Sequence, residues 1–201
     1  MVEIVYIIAI ATVATGFGLT LLRKVGPICD SRAEELVFSL GFGLGAIALV
    51  VLALGFAHLL YVEVFYGLLA VGALVGSKEL IGLAGRLQGQ FAGRQFDWRS
   101  FYFWLIVLTG FGLLLNLLRA LLPAHGAVDP LAYHLALPKL YLLKHHISFE
   151  RTLTGALYPD NVGMLYLLAI GLRDASLAQV VHWFMGVTTV GAIWCFCRKY
   201  F

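Results

Sequence analysis

Four side chains able to do acid–base or anion chemistry fall within eleven residues of a chain that is otherwise largely apolar: Asp129, Tyr133, His134 and Lys139. A carboxylate can orient a hydroxyl nucleophile or hold a cation, a phenol or imidazole can pass a proton, and an ammonium can neutralise a phosphate. Asp129-Pro130 is also a strong helix start. Asp is a favoured N-cap, and Pro suits the first helical position because its missing N–H would be unpaired there. Asp129 therefore has two readings, a helix cap and a general base or metal ligand, and the helix dipole favours its ionised form in both. Tyr133 falls one turn along the same side. His134 is five residues from Asp129, off that face, so the pair is not a metal site on one helix. Lys139 reads equally as a phosphate partner and as a side chain snorkelling to the headgroups.

Downstream, Lys144-His145-His146 reads as a solvated loop entry, and Glu150-Arg151 as a surface pair. Tyr158-Pro159-Asp160-Asn161 reads as a turn with an N-cap for the next helix. Asp160 is also the second carboxylate on this loop able to approach Asp129, and the two together could hold a divalent metal. Pro138 should bend or end the helix that begins at 130. Leu131, Leu135 and Leu142 fall on roughly one of its faces. The helix is expected to lie along the outer membrane surface, because crossing would bury Lys139 and Lys144 at about 2.5–3.5 kcal/mol per charge.

The elements that must position this loop are apolar runs. Of 201 residues, 61% are hydrophobic and only 12% charged, about half the charged share of a soluble domain. The net charge of +3 is scattered, which leaves no nucleic-acid footprint. Cys29, Cys195 and Cys197 have no zinc spacing and read as buried, inert thiols. Runs at 4–22, 36–56, 60–77, 101–121 and 175–197 are each long enough to cross a bilayer, while 162–172 is too short. A tight hairpin is expected at 57–63, where His58 and Glu63 would be wet. Residues 78–99 alternate charged and apolar residues and predict an amphipathic surface helix. Gly41, Gly43 and Gly45 include a small-xxx-small pair suited to helix packing. Of the other polar residues in these runs, His182 near the start of the last span faces either the interface or another helix.

Loops 22–35 and 78–99 are basic, and the hairpin between them is not. The positive-inside rule puts both basic loops in the cytoplasm and the 122–160 loop outside. Arg198-Lys199 then ends outside if 162–172 crosses, and inside if it does not. The expected organisation is about four spans in 1–121, an outer loop with interfacial helices in 122–160, and two further membrane helices in 161–201. The fold class is all-α, a polytopic transmembrane bundle with an interfacial helix in an outer loop. The chain reads as the N-terminal portion of a longer membrane protein.

The string Asp129-Pro-Leu-Ala-Tyr-His-Leu-Ala-Leu-Pro-Lys resembles the D-x-L-x-Y-H-L-x-x-P-K segment of bacterial membrane glycosyltransferases of the GT-C type, relatives of protein mannosyltransferases and aminoarabinose transferases. Tyr158-Pro159-Asp160-Asn161, Met164-Leu165-Tyr166 and His182 to Lys199 continue the resemblance, which covers 122–199. It implies a multi-pass protein of the bacterial inner membrane that takes a sugar from a polyprenyl-phosphate donor on the outer face. Asp129 would be the catalytic residue, and Tyr133, His134, Lys139 and Asp160 would bind substrate. A divalent metal is used by some members only. The chain departs from the family in having fewer spans and no acid adjacent to Asp129. The competing readings are a non-enzymatic membrane scaffold or assembly subunit, in which Asp129 is only a cap, and a small transporter. The transporter fits least, since the spans carry few mid-depth charges and no internal repeat. The expected partners are membrane lipid, the lipid-linked donor and the remainder of a longer chain.

Overall fold

Runs of apolar residues with no charge over five or six turns must satisfy every backbone N–H and C=O internally once they leave water, and a helix is the one local solution. The computed structural model describes residues 2–26, 29–87, 98–122, 134–150 and 160–201, with the backbone alone at 84, 86 and 87. These form seven helices and, among the described residues, no strand: α1 (Val2–Val25), α2 (Arg32–Phe56), α3 (Val62–Leu87), α4 (Phe101–Ala120), α5 (Ala136–Lys144), α6 (Asn161–Leu172) and α7 (Ala175–Tyr200). Five of them, α1, α2, α3, α4 and α7, are long and apolar enough to cross a membrane. The protein is an all-helical, multi-pass membrane protein, with two short helices, α5 and α6, beside the spans.

α1 is the central strut. It packs on both α2 and α3, and glycines set the approach. Gly18 of α1 lies against the Ser39 backbone of α2, Gly43 of α2 against the Ala14 backbone, and Gly76 of α3 against Gly16. A side chain at any of these would overlap main-chain atoms. The spacing Gly41–Gly45, expected to mark a packing face, does not: both positions open onto free space, and Gly43 between them makes the contact. Helix geometry explains the exchange, because Gly43 shares the inward face with Ile47 and Val51, whereas Gly41 and Gly45 are turned away.

Local signals fix the ends. Ser31 caps α2 through a capping box: its hydroxyl accepts from the Glu34 N–H at 3.2 Å, and Glu34 Oε2 accepts from the Ser31 N–H at 3.3 Å. The α2–α3 hairpin falls at 57–61, as expected, with His58 and Glu63 exposed. The amphipathic stretch is different. α3 runs on to Leu87 without a break, so its first half extends the span instead of starting a separate surface helix; residues 88–97 lie outside the described residues. Arg23 of α1 pairs with Glu79 of α3 at 2.5 Å, tying that extension to the basic end of the bundle. Of the three cysteines Cys195 alone is buried, and Cys197 is exposed, so the thiols are not uniformly buried. Desolvation and the neighbouring carboxylates of Glu34, Glu35 and Asp30 push the Cys29 thiol up, which keeps it protonated and unreactive.

The side of the C-terminus follows from α6. Its twelve residues extend ~18 Å, against ~30 Å for a hydrocarbon core. Arg173 and Asp174 turn the chain, and α7 returns alongside α6. Arg173 at this turn pairs with Glu3 at the start of α1 at 3.1 Å, and Lys199 near the end of α7 pairs with Asp30 in the α1–α2 link at 2.5 Å. The half-length helix thus returns Arg198-Lys199 to the end that holds Arg23, Lys24 and Arg32, in agreement with the charge rule. The opposite end, named the outer end after the charge-rule expectation, carries Glu3, His58, Glu63 and the α6–α7 turn.

Candidate functional site

The outer half of the bundle holds the polar contacts between α5, α6 and α7. α6 begins inside the bundle. Asn161 lines an open groove of about 770 Å³ together with Ala46 and Leu49 of α2 and Thr188 and Ala192 of α7, all mid-helix residues. Asp160 caps α6, its Oδ1 accepting from the Gly163 N–H at 2.7 Å. Asp160 does cap α6, while Asp129, the carboxylate it was expected to approach, lies outside the described residues; among the described residues no three His, Cys, Asp or Glu side chains come together as metal ligands.

One turn further along α6, Tyr166 is buried, and its hydroxyl meets His182 Nδ1 of α7 at 2.6 Å. His134, just before α5, approaches the Tyr166 ring edge-on, with ring centroids 6.4 Å apart at 88°. Tyr166 precedes Asp174 by eight residues and His182 follows it by eight, so the cluster lies ~12 Å below the outer turn. The pairing is a consequence of the hairpin: residues equidistant from a tight antiparallel turn face each other. His182 had been expected to meet either the interface or another helix, and it meets another helix. Tyr166 carried no signal beyond its place in the family resemblance, since an aromatic in an apolar helix reads as core.

α5 connects this cluster to the outer surface. His134 lies beside Tyr166, Leu142 beside Gly171, and His145 beside Leu60, so α5 runs along the outer half of α6 to the α2–α3 hairpin. Its place at the outer end suits an interfacial helix, but its tilt is set by α6 and not by the leaflet. Leu137, Pro138 and Tyr141 form its buried face. Pro138 does not bend or end a helix here. It stands in the first turn of α5, where a missing N–H is harmless. Lys139 is exposed on the opposite face. Burial, with Glu150 and Asp160 nearby, pushes the Tyr141 phenol up.

A clamp holds the end of α5. Tyr61 stacks on His145 with centroids 4.1 Å apart, and His58 on His146 at 4.5 Å. The Ile147 N–H donates to the Gly55 carbonyl at 3.1 Å, and the Leu60 N–H to the His145 carbonyl at 3.4 Å. The expected solvated entry at Lys144-His145-His146 is therefore a packed junction. Glu150 pairs with Lys144 and accepts from Ser148 Oγ at 2.5 Å; Arg151, its expected partner, lies outside the described residues. The Lys144 ammonium, then the Ser148 hydroxyl, hold the Glu150 carboxyl below its ordinary range.

Of the five candidate residues, Asp129 and Tyr133 lie outside the described residues. His134, Lys139 and Asp160 are placed, and they do not converge: His134 joins Tyr166 and His182, Asp160 is a cap, and Lys139 faces away. Both flanks of the segment that carries Asp129 reach the outer half of α6 and α7, since the Leu122 carbonyl accepts from Gln179 Nε2 at 3.2 Å and His134 meets Tyr166. Compared with models of protein families, with curated proteins and with solved structures, the chain finds no match.

Proposed function

We propose that the protein is a membrane glycosyltransferase, alone or as the N-terminal part of a longer enzyme, that takes a sugar from a polyprenyl-phosphate donor at the outer face of a bacterial inner membrane. The observation that carries this reading is the polar cluster His134–Tyr166–His182, sunk about 12 Å below the outer turn in a bundle otherwise built for lipid. Ionisable groups at such depth are costly and mark substrate paths. The string from Asp129 to Lys139 leads straight into this cluster through His134. In this reading Asp129 orients the acceptor hydroxyl as general base, Tyr133 and His134 line the reacting end of the donor, and Lys139 and Asp160 bind at its margins.

The test is transfer from polyprenyl-phosphate sugars by the full protein in membrane vesicles, comparing the parent with Asp129→Asn. Asparagine keeps the cap and removes the base. Transfer should fall by at least a hundredfold, within the usual range of a general base. Parent-like activity in Asp129→Asn removes the catalytic role, and no transfer with any such donor removes the enzyme.

A further inference from the structure

His182 presents a hydrogen-bond donor that is oriented by its neighbour and has no partner among the described residues. The Tyr166 hydroxyl is buried, and its one partner among the described residues is His182 Nδ1 at 2.6 Å. A buried O–H must be satisfied, so the phenol donates to Nδ1. The neutral imidazole then carries its proton on Nε2, which points away from α6. Nε2 has no partner among the described residues, and the side chain is exposed. An unsatisfied N–H at hydrocarbon depth is unfavourable, which makes a resting place on the lipid face a poor explanation of this residue.

The surroundings say where a ligand would enter. His182 follows Gln179 by three residues and precedes Trp183, and both of those bond α4 carbonyls, Leu122 at 3.2 Å and Leu113 at 2.8 Å. His182 therefore occupies the seam between α4 and α6. Around it the α4 wall is apolar apart from Asn116, whose amide donates to the Gly112 carbonyl at 2.9 Å, and His134 closes the α5 side against Tyr166. A fixed N–H donor in an apolar seam open to lipid suits an anionic oxygen on a long apolar tail.

We propose that His182 Nε2–H, oriented by Tyr166 and flanked by His134, binds the phosphate of a prenyl-phosphate lipid entering through the α4–α6 seam; this deepens the glycosyltransferase reading and rests on it. His182 is then a substrate-binding residue and Tyr166 a positioning residue.

The experiment uses the full protein in neutral detergent, with binding read by thermal shift and by the 31P resonance of the probe. The probes are farnesyl phosphate, farnesol and inorganic phosphate. Farnesyl phosphate should stabilise the parent and the other two should not. His182→Leu should weaken farnesyl phosphate binding about tenfold or more, the usual effect of losing a bond to a charged group. His182→Gln, which keeps an N–H donor, should weaken it less, and Tyr166→Phe should fall between. Losing the His182 partner leaves the buried Tyr166 hydroxyl unpaired, so the shift for each variant is read against its own unfolding temperature without probe. Equal stabilisation by farnesol would show that the tail alone is bound, and equal stabilisation by inorganic phosphate would show a free-anion site; either overturns the proposal, as does unchanged binding in His182→Leu. Farnesyl phosphate binding without sugar transfer would leave this site and remove the enzyme. Parent-like transfer in His182→Leu would remove the site and leave the enzyme.

Discussion

Gly43→Ala should loosen the α1–α2 pair, while Gly41→Ala, two residues away on the same helix, should not. A Cβ at Gly43 would fall 2.8 Å from the Ala14 Cα and closer still to its carbonyl. Ordinary carbon contacts lie near 3.5–4.0 Å, so the helices must part by ~1 Å. That separation opens the contacts of Ile10 and Ala14 with Ile47 and Val51, all buried. Overpacking of this kind costs about 1–3 kcal/mol. At Gly41 nothing lies within 4 Å of the added carbon. Only helix propensity changes there, from neutral to about 1 kcal/mol stabilising. Because the clash is with main chain, trimming the partner in Ala14→Gly should not rescue Gly43→Ala. Gly18→Ala, which strikes the Ser39 carbonyl across the same interface, should add less than its own full cost to Gly43→Ala, since one separation relieves both. The assay is an SDS titration of the protein in neutral micelles, followed by tryptophan fluorescence. Equal stability of Gly43→Ala and Gly41→Ala, or rescue by Ala14→Gly, would refute the glycine-set crossing.

Other consequences are open to simpler measurements. Single cysteines at 24, 78 and 200, in a background without the native thiols, should be labelled from one side of the membrane, and those at 58, 146 and 174 from the other; position 200 labelling with 58 would show that α6 crosses. Asp160→Ala should lose the α6 cap at about 1 kcal/mol, and Asp160→Asn should keep it, measured by thermal unfolding; an equal loss in Asn would point to a charge-dependent role instead. Glu150 is held below its ordinary pKa, so its pairing with Lys144 contributes above the usual carboxylate range and disappears as pH falls through the lowered value. Hydrogen-exchange rates at 145–150, taken relative to the intrinsic rate at each pH, should therefore stay flat from neutral pH to about 5 and rise on further acidification. Glu150→Gln should show the faster exchange already at neutral pH, and an identical acid profile in both proteins would detach the clamp from this pair.

What the chain discloses about itself depends on the range of the interaction. Spans are legible because hydrocarbon thickness imposes a length on any apolar run, and the five runs match their helices within a few residues except at the end of α3, which runs ten residues past the expected 77. Caps are legible because they are local: Asp160 holds the N–H three residues on, and no tertiary contact competes. The end of a span is less so. The charges from Lys78 onward looked like the start of a surface helix, but Arg23 on α1 supplies Glu79 with a partner, and α3 continues. Pro138 is read differently once its helix is seen, since it stands in the first turn of α5, where its missing N–H costs nothing; the Asp129-Pro130 start lies outside the described residues.

Pairings across the fold were not legible at all, and they carry the functional argument. Nothing local distinguishes Gly43 from Gly41 or Tyr166 from any other aromatic in an apolar helix. The hairpin creates the difference: once α6 is too short to cross, the chain must turn at Arg173-Asp174, and Tyr166 and His182 are brought face to face. The same shortness leaves α6 starting at mid-depth, with Asn161 at the groove between α2 and α7. A full-length sixth span would have filled that space and carried Arg198-Lys199 to the wrong side. The length of one apolar run thus decides the orientation of the last helix, the depth of the polar cluster and the direction in which His182 Nε2 points. Lengthening α6 by inserting two turns of Leu and Ala before Asp160 should therefore disturb the groove and the Asp160 cap first, while leaving the Tyr166–His182 pair, which is measured from the turn, in place. Farnesyl phosphate binding by such an insertion variant should survive; its loss would mean that the site depends on the depth of the α6 start and not on the hairpin.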